Sequence, residues 1–269
     1  MDSSPTAPLH YGGEELIADG SFLRAVPDVV AGPERLRFDA LAFSGDALCH
    51  GWNTLREIAA HVGKEPSKLT NRLRAAMMVA AWSIVDHLNV VRQIVSAFGP
   101  ADQEPGPLTK RLLSLTETAR VLRNKMDHLN SNIGNIANAK GTKSALFGTL
   151  SYFYTDRPLE GGYMMLVQTG LLHGSESWNI VNPAGRKFYP PADMFELTAF
   201  GKALELGPPI AAFDAWLKAS EPDWMAQLDV EIAKLGEATG KSVEELKGHR
   251  GGGYVFALAI DFNEKSATV

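Results

Sequence analysis

Residues 107–139, PLTKRLLSLTETARVLRNKMDHLNSNIGNIANA, constrain the fold more than any other stretch of the chain. Apolar side chains recur at Leu108, Leu112, Leu115, Ala119, Leu122, Met126, Leu129, Ile133 and Ile136, with spacings that alternate between four and three. That is the period of an α-helix burying one narrow stripe. The opposite side carries only polar residues: Arg120, Arg123, Asn124, Asp127, His128, Asn130, Ser131 and Asn135. One face therefore belongs to a helical core, and the other is available for chemistry.

The preceding chain has the same helical character. Residues 1–32 mix Pro, Gly and acidic residues around a short apolar patch, which predicts an irregular lead-in lying on the body. Pro33 suits the first turn of a helix, where its missing N–H is not needed, and helical spacing then runs to about Val62. Gly45 and Gly51 interrupt that run, leaving a kink or two separate helices open. A turn at 63–67 leads into a second long helix over about 67–98. It is apolar nearly all round, as a central helix should be, with one polar stripe at Ser83, Asp86, Asn89 and Gln93. The proline-containing loop 99–106 returns the chain antiparallel into the 107–139 helix.

After Gly141 the pattern changes. Residues 145–155, 163–172 and 178–181 are β-rich and separated by Gly/Pro/Asn turns. The 195–206 run is ambiguous between strand and helix. Helices follow from 208 to about 219 and around Trp224, Leu228, Ile232 and Leu235, with a final strand at 254–262. The expected fold is α+β: an antiparallel helical bundle over 33–140, then a mainly antiparallel sheet with additional helices over 141–269, in one body.

Composition narrows the setting. A net charge of −5 argues against broad non-specific nucleic-acid binding while permitting a local basic patch. The single cysteine, Cys49, cannot form an intrachain disulfide, which points to a reducing, cytoplasmic environment. The N-terminal residues lack a basic region followed by an apolar core, and the most apolar run, 75–85, is too short for a membrane span.

The segment Arg123-Asn124-Lys125-Met126-Asp127-His128 resembles the signature of the HEPN superfamily, an arginine followed at short spacing by a histidine, commonly with a polar residue next to the arginine. The bare spacing is loose, since Arg56 to His61 fits it too. Three features favour the later match: Asn124 after the arginine, its place on the return helix of a hairpin, and Asp86 on the preceding helix at the level of Arg120 or Arg123. The resemblance covers roughly 33–139 and implies a dimeric helical bundle with the motif near the dimer cleft. It also implies candidate metal-independent RNA cleavage or RNA binding, with no cofactor, and a protein partner such as an antitoxin. His128 would transfer the proton, Arg123 would bind the phosphate, Asn124 would orient the histidine ring or bind a phosphate oxygen, and Asp86 would hold Arg123. Arg123 and His128 diverge by about 140° on a straight helix, so they converge only across a substrate or a second protomer.

Two alternatives stand beside this expectation. One is a non-catalytic dimeric binding or scaffold module, using aromatics of the β half such as Tyr152, Tyr154, Tyr163 and Trp178. The other is a helical-bundle metal site, because Asp86-His87-Leu88-Asn89 recurs as Asp127-His128-Leu129-Asn130 and His50 lies on the first helix. His87, however, shares a line with Ile84, Val91 and Ile94, which better suits a hydrogen-bonded core histidine.

Overall fold

A computed structural model describes residues 11–247, apart from 25, 28, 99–103, 139–144, 157–160, 170–185 and 187. Helix α1 (Gly32–Val62) carries Leu41, Leu48, Leu55 and Val62 at seven-residue intervals, and all four are fully buried. It is one helix rather than two. Gly45 and Gly51 serve as contact points: an added Cβ would lie 2.6 Å from Ile17 Cγ1 and 2.9 Å from Ile84 Cγ1, respectively. Removing side chains there lets the lead-in and the next helix approach, a packing gain that outweighs the low helix propensity of glycine.

Helix α2 spans Asn71–Ser96. Its start falls after the expected Ser67, because Pro66–Lys68 form a 3-10 turn and Thr70 then caps the helix, its Oγ1 accepting from the Leu73 N–H at 3.3 Å. Met77, Ile84, Leu88, Val91 and Val95 are fully buried, as expected of the central helix.

Helix α3 (Pro107–Asp127) buries Leu112, Thr116, Ala119 and Leu122, and then stops. The expected helix to residue 139 is broken at His128 (φ −101°, ψ 29°), and a separate helix α4 follows over Leu129–Asn138. The apolar stripe continues in sequence, yet Ile133 is 44% exposed. The run 130–138 is rich in Asn, a weak helix former, so nothing strong enough keeps the two segments collinear.

The β half forms one antiparallel sheet in the order β2-β1-β3-β4, with β1 Thr149–Tyr154, β2 Tyr163–Gln168, β3 Ala192–Ala199 and β4 Lys202–Glu205. The ambiguous 195–206 run is thus a hairpin. Phe200 and Gly201 both have positive φ (52° and 71°) between the paired Ala199 and Lys202, the signature of a tight type I′ turn. A bulge opposite Tyr152 places Met194 at φ 57°. The Asp193 carboxylate braces it, accepting from the Met194 N–H at 2.8 Å and the Tyr189 N–H at 3.0 Å. The runs expected as strands at 178–181 and 254–262 lie outside the described residues.

Helix α5 spans Gly207–Thr239 without interruption at Pro222, and α6 covers Val243–Lys247. The two helices expected here are one because aromatic contacts hold both sides of the proline. Trp216 and Trp224 meet at 5.4 Å, and each packs on Phe98 at the end of α2. Trp52 and Tyr152 both sit 5.3 Å from Phe195, so a single apolar cluster runs from the lead-in through the bundle into the sheet and α5. Among the described residues no helix is long and apolar enough to cross a membrane.

Candidate functional site

Helices α2 and α3 turn polar edges to each other at one margin of their apolar seam. There Arg123 Nε meets Asp86 Oδ1 at 2.8 Å, joining the two residues that the sequence placed at one level. Arg123 Nη1 also donates to Asp127 one turn on. Two carboxylates therefore share one guanidinium. Burial pushes the Asp86 carboxyl up, Asp127 adds to the rise, and Arg123 and His87 offset only part of it.

The same interface has a second charged rung. Arg92 Nη2 meets Glu117 Oε2 at 2.7 Å, six residues further along α2 and six back along α3. The rungs have opposite polarity, acid to base and then base to acid, so sliding one helix past the other breaks both. Arg120 turns away to Glu117 on its own helix.

Asn124 and His128 are exposed, and neither side chain makes a hydrogen bond or ion pair among the described residues. His128 ends α3: its N–H donates to the Asn124 carbonyl at 3.3 Å, and its own carbonyl accepts from Ser131 Oγ at 2.8 Å. The structure thus brings Asp86 and Arg123 together and leaves Asn124 and His128 on the open side of the helix end. The described strands and turns of the β half dock beside this face, leaving Asn124 and His128 exposed. Lys125 Nζ donates to the Phe200 carbonyl at 3.0 Å, and Trp82 Nε1 to the Phe147 carbonyl at 3.0 Å.

The other arginine with the same spacing has a different environment. Arg56 donates from Nη1 to the Gly12 carbonyl (2.6 Å), from Nη2 to the Pro190 carbonyl (3.2 Å) and from Nε to the Ala192 carbonyl (3.3 Å). It clamps the lead-in and the entry to β3 onto α1, and His61 is exposed beyond it.

Of the residues considered for a metal, His87 is half-buried, 3.4 Å from Ser44 Oγ and edge-on to Phe43 at 5.4 Å. Burial lowers its pKa, which suits a neutral, packed imidazole. No group of three His, Cys, Asp or Glu side chains that could hold a metal occurs among the described residues. Of the aromatics considered for binding, Tyr152 is fully buried in the core, Tyr154 is half-buried, Tyr163 is 48% exposed, and Trp178 lies outside the described residues. No local pattern announces the Arg56 clamp, because its carbonyl partners lie 44 or more residues away. The Asp193 brace is local, to Met194 and Tyr189, and becomes visible only with the bulge that it supports.

In comparisons with known proteins, no family model matches the chain, and no curated protein or solved structure does so either.

Proposed function

We propose that this is a HEPN-like helical-bundle protein that engages RNA on the α3 face, with Arg123 and His128 forming a composite, metal-independent cleavage site when two protomers pair. The Asp86–Arg123 contact across two helices carries this proposal, because it is the positioning contact that the resemblance requires. RNA supplies its own nucleophile, the 2′-OH, which attacks phosphorus as the 5′-oxygen leaves. One His128 takes the 2′-OH proton, and His128 of a second copy protonates the leaving oxygen. Arg123 binds the non-bridging oxygens. To do so it leaves Asp127, an exposed partner whose contact is worth ~1 kcal/mol or less, and stays braced by Asp86.

A second reading has its own observation. With Asp86 and Asp127 both ionised, the cluster around Arg123 carries excess negative charge, which disfavours a phosphodiester and suits a non-catalytic binding module. One experiment separates the two. The full-length protein is incubated with fluorescently labelled RNA in EDTA, beside His128→Ala and Arg123→Ala, with oligomeric state followed by sedimentation. Cleavage confined to the wild type, in a dimer, supports the composite site. Cleavage that persists in His128→Ala, or no RNA binding at all, removes it and leaves the binding module.

A further inference from the structure

Far from Arg123, the lead-in, the start of α1, the end of α2 and the distal half of α5 enclose a groove of about 930 Å³. Asp86 lies ten residues, ~15 Å of helix, before the end of α2 at Ser96, and Phe98 lines the groove just beyond that end. The floor of the groove is aromatic. Phe38 lies 5.1 Å from both Phe22 and Trp224, and Trp224 stacks on Phe98 at 5.6 Å. The rim is acidic: Glu34, Asp223 and Glu231 line the groove, and among the described residues no lysine or arginine does. Glu34 and Glu231 contact Arg37 and Lys234 on their own helices at 3.3 and 2.7 Å, through exposed pairs of the kind a competing cation displaces readily. Asp223 forms no ion pair among the described residues.

Each half of this arrangement selects part of a ligand. The aromatic floor rewards an apolar body and, through the negative faces of its rings, a positive charge. The carboxylate rim attracts the same charge and repels anions such as nucleotides. The volume is that of an ordinary small-molecule cleft. We propose that this groove binds a small organic cation, an ammonium or amidinium group carried on an apolar body, at a site separate from the α3 face. The apolar body lies on Phe38 and Trp224, and the cationic head lies in the combined field of the Glu34, Asp223 and Glu231 carboxylates along the rim.

Benzyltrimethylammonium tests this with the full-length protein by titration calorimetry, beside neutral benzyl alcohol and anionic phenylacetate. The expected result is saturable binding of the cation, at least tenfold tighter than either control. Asp223→Lys and, separately, Glu231→Lys each weaken it about tenfold or more, while the melting temperature without ligand is unchanged, because both side chains are at the surface. Equal affinity for the cation and benzyl alcohol overturns the proposal, as does binding unaffected by both charge reversals. Binding of an arginine-flanked apolar peptide with none of benzyltrimethylammonium also overturns it, assigning the groove to a protein partner.

Discussion

Arg56 and Arg123 are each followed five residues later by a histidine, on long helices of the same bundle, and they do different work. Arg56 faces three backbone carbonyls, from a segment 44 residues upstream and from residues more than 130 downstream. Arg123 faces two carboxylates, one on its own helix and one across the seam. The difference lies in what replaces the arginine when it is gone. Two of the carbonyls held by Arg56, of Gly12 and Ala192, are at partly buried contacts and are poorly solvated when it is gone, whereas the carboxylates beside Arg123 are half-exposed and water solvates them. A spacing in sequence therefore specifies which residues share a helix, while the neighbouring segments specify what those residues do.

The largest expected effect is at Arg56. Arg56→Ala should lower stability by about 4 kcal/mol and release the lead-in, since charge-assisted hydrogen bonds are worth about 1.5–3 kcal/mol each and are not additive. Arg123→Ala should cost about 1 kcal/mol or less. Urea melts of the two variants check this, and equal losses would break the comparison. Arg56→Lys should recover only part of the loss, because one ammonium cannot reach three carbonyls in that fork geometry.

Asp193 sharpens it. Burial pushes this carboxyl up to about 6, against the pull of Arg56 and its two backbone hydrogen bonds, with Glu205 adding to the rise. The folded state thus holds a proton that the unfolded chain releases near pH 4. Stability contributed by the protonated form is complete below about pH 4, falls as pH rises to about 6 and is flat above, a change of roughly 3 kcal/mol at 1.36 kcal/mol per unit. Asp193→Asn should flatten that slope, and Arg56→Ala should extend the upper end of the window to higher pH while leaving its lower end near pH 4. Chemical denaturation measured every half pH unit from 4 to 8 reads both, and a slope unchanged in Asp193→Asn would show that another group titrates.

Smaller effects belong to the α3 face. A double-mutant cycle of Asp86→Asn with Arg123→Ala should give a coupling of about 0.5–1 kcal/mol that shrinks in high salt. A coupling that salt leaves intact would mark a more buried, more rigid pair than its exposure implies. His128→Ala should change stability by no more than about 0.5 kcal/mol, because the side chain is exposed and unpaired among the described residues. Unfolding of that variant would make His128 a structural residue at the α3–α4 junction.

The bundle was legible because helical periodicity is local: the stripes of α1, α2 and α3 can be counted residue by residue, and they match the burial in the middle of each helix but not at Leu36, Phe43 and Leu108, which are exposed. Asp86 opposite Arg123 was legible too, since two helices of counted length joined by a short loop bring known positions level. The break at His128 was not. The stripe runs on to Ile136, and the exposure of Ile133 shows that the pattern outlasts the core. The division into two helices after about residue 219 fails for the opposite reason, because Trp216, Trp224 and Phe98 hold together one helix across Pro222.

By itself, the sequence determined the α+β class, the antiparallel order of the long helices and the Asp86–Arg123 level, all consequences of backbone period and chain connectivity. Tertiary structure alone decided that Arg56 is a clamp, that Asp193 braces a bulge, that 195–206 folds as a hairpin and that an acid-rimmed aromatic groove opens beside Trp224. The Arg56 clamp and the groove depend on groups brought together from distant parts of the chain, while the Asp193 brace and the hairpin use near neighbours whose conformation is fixed by the sheet they pack into.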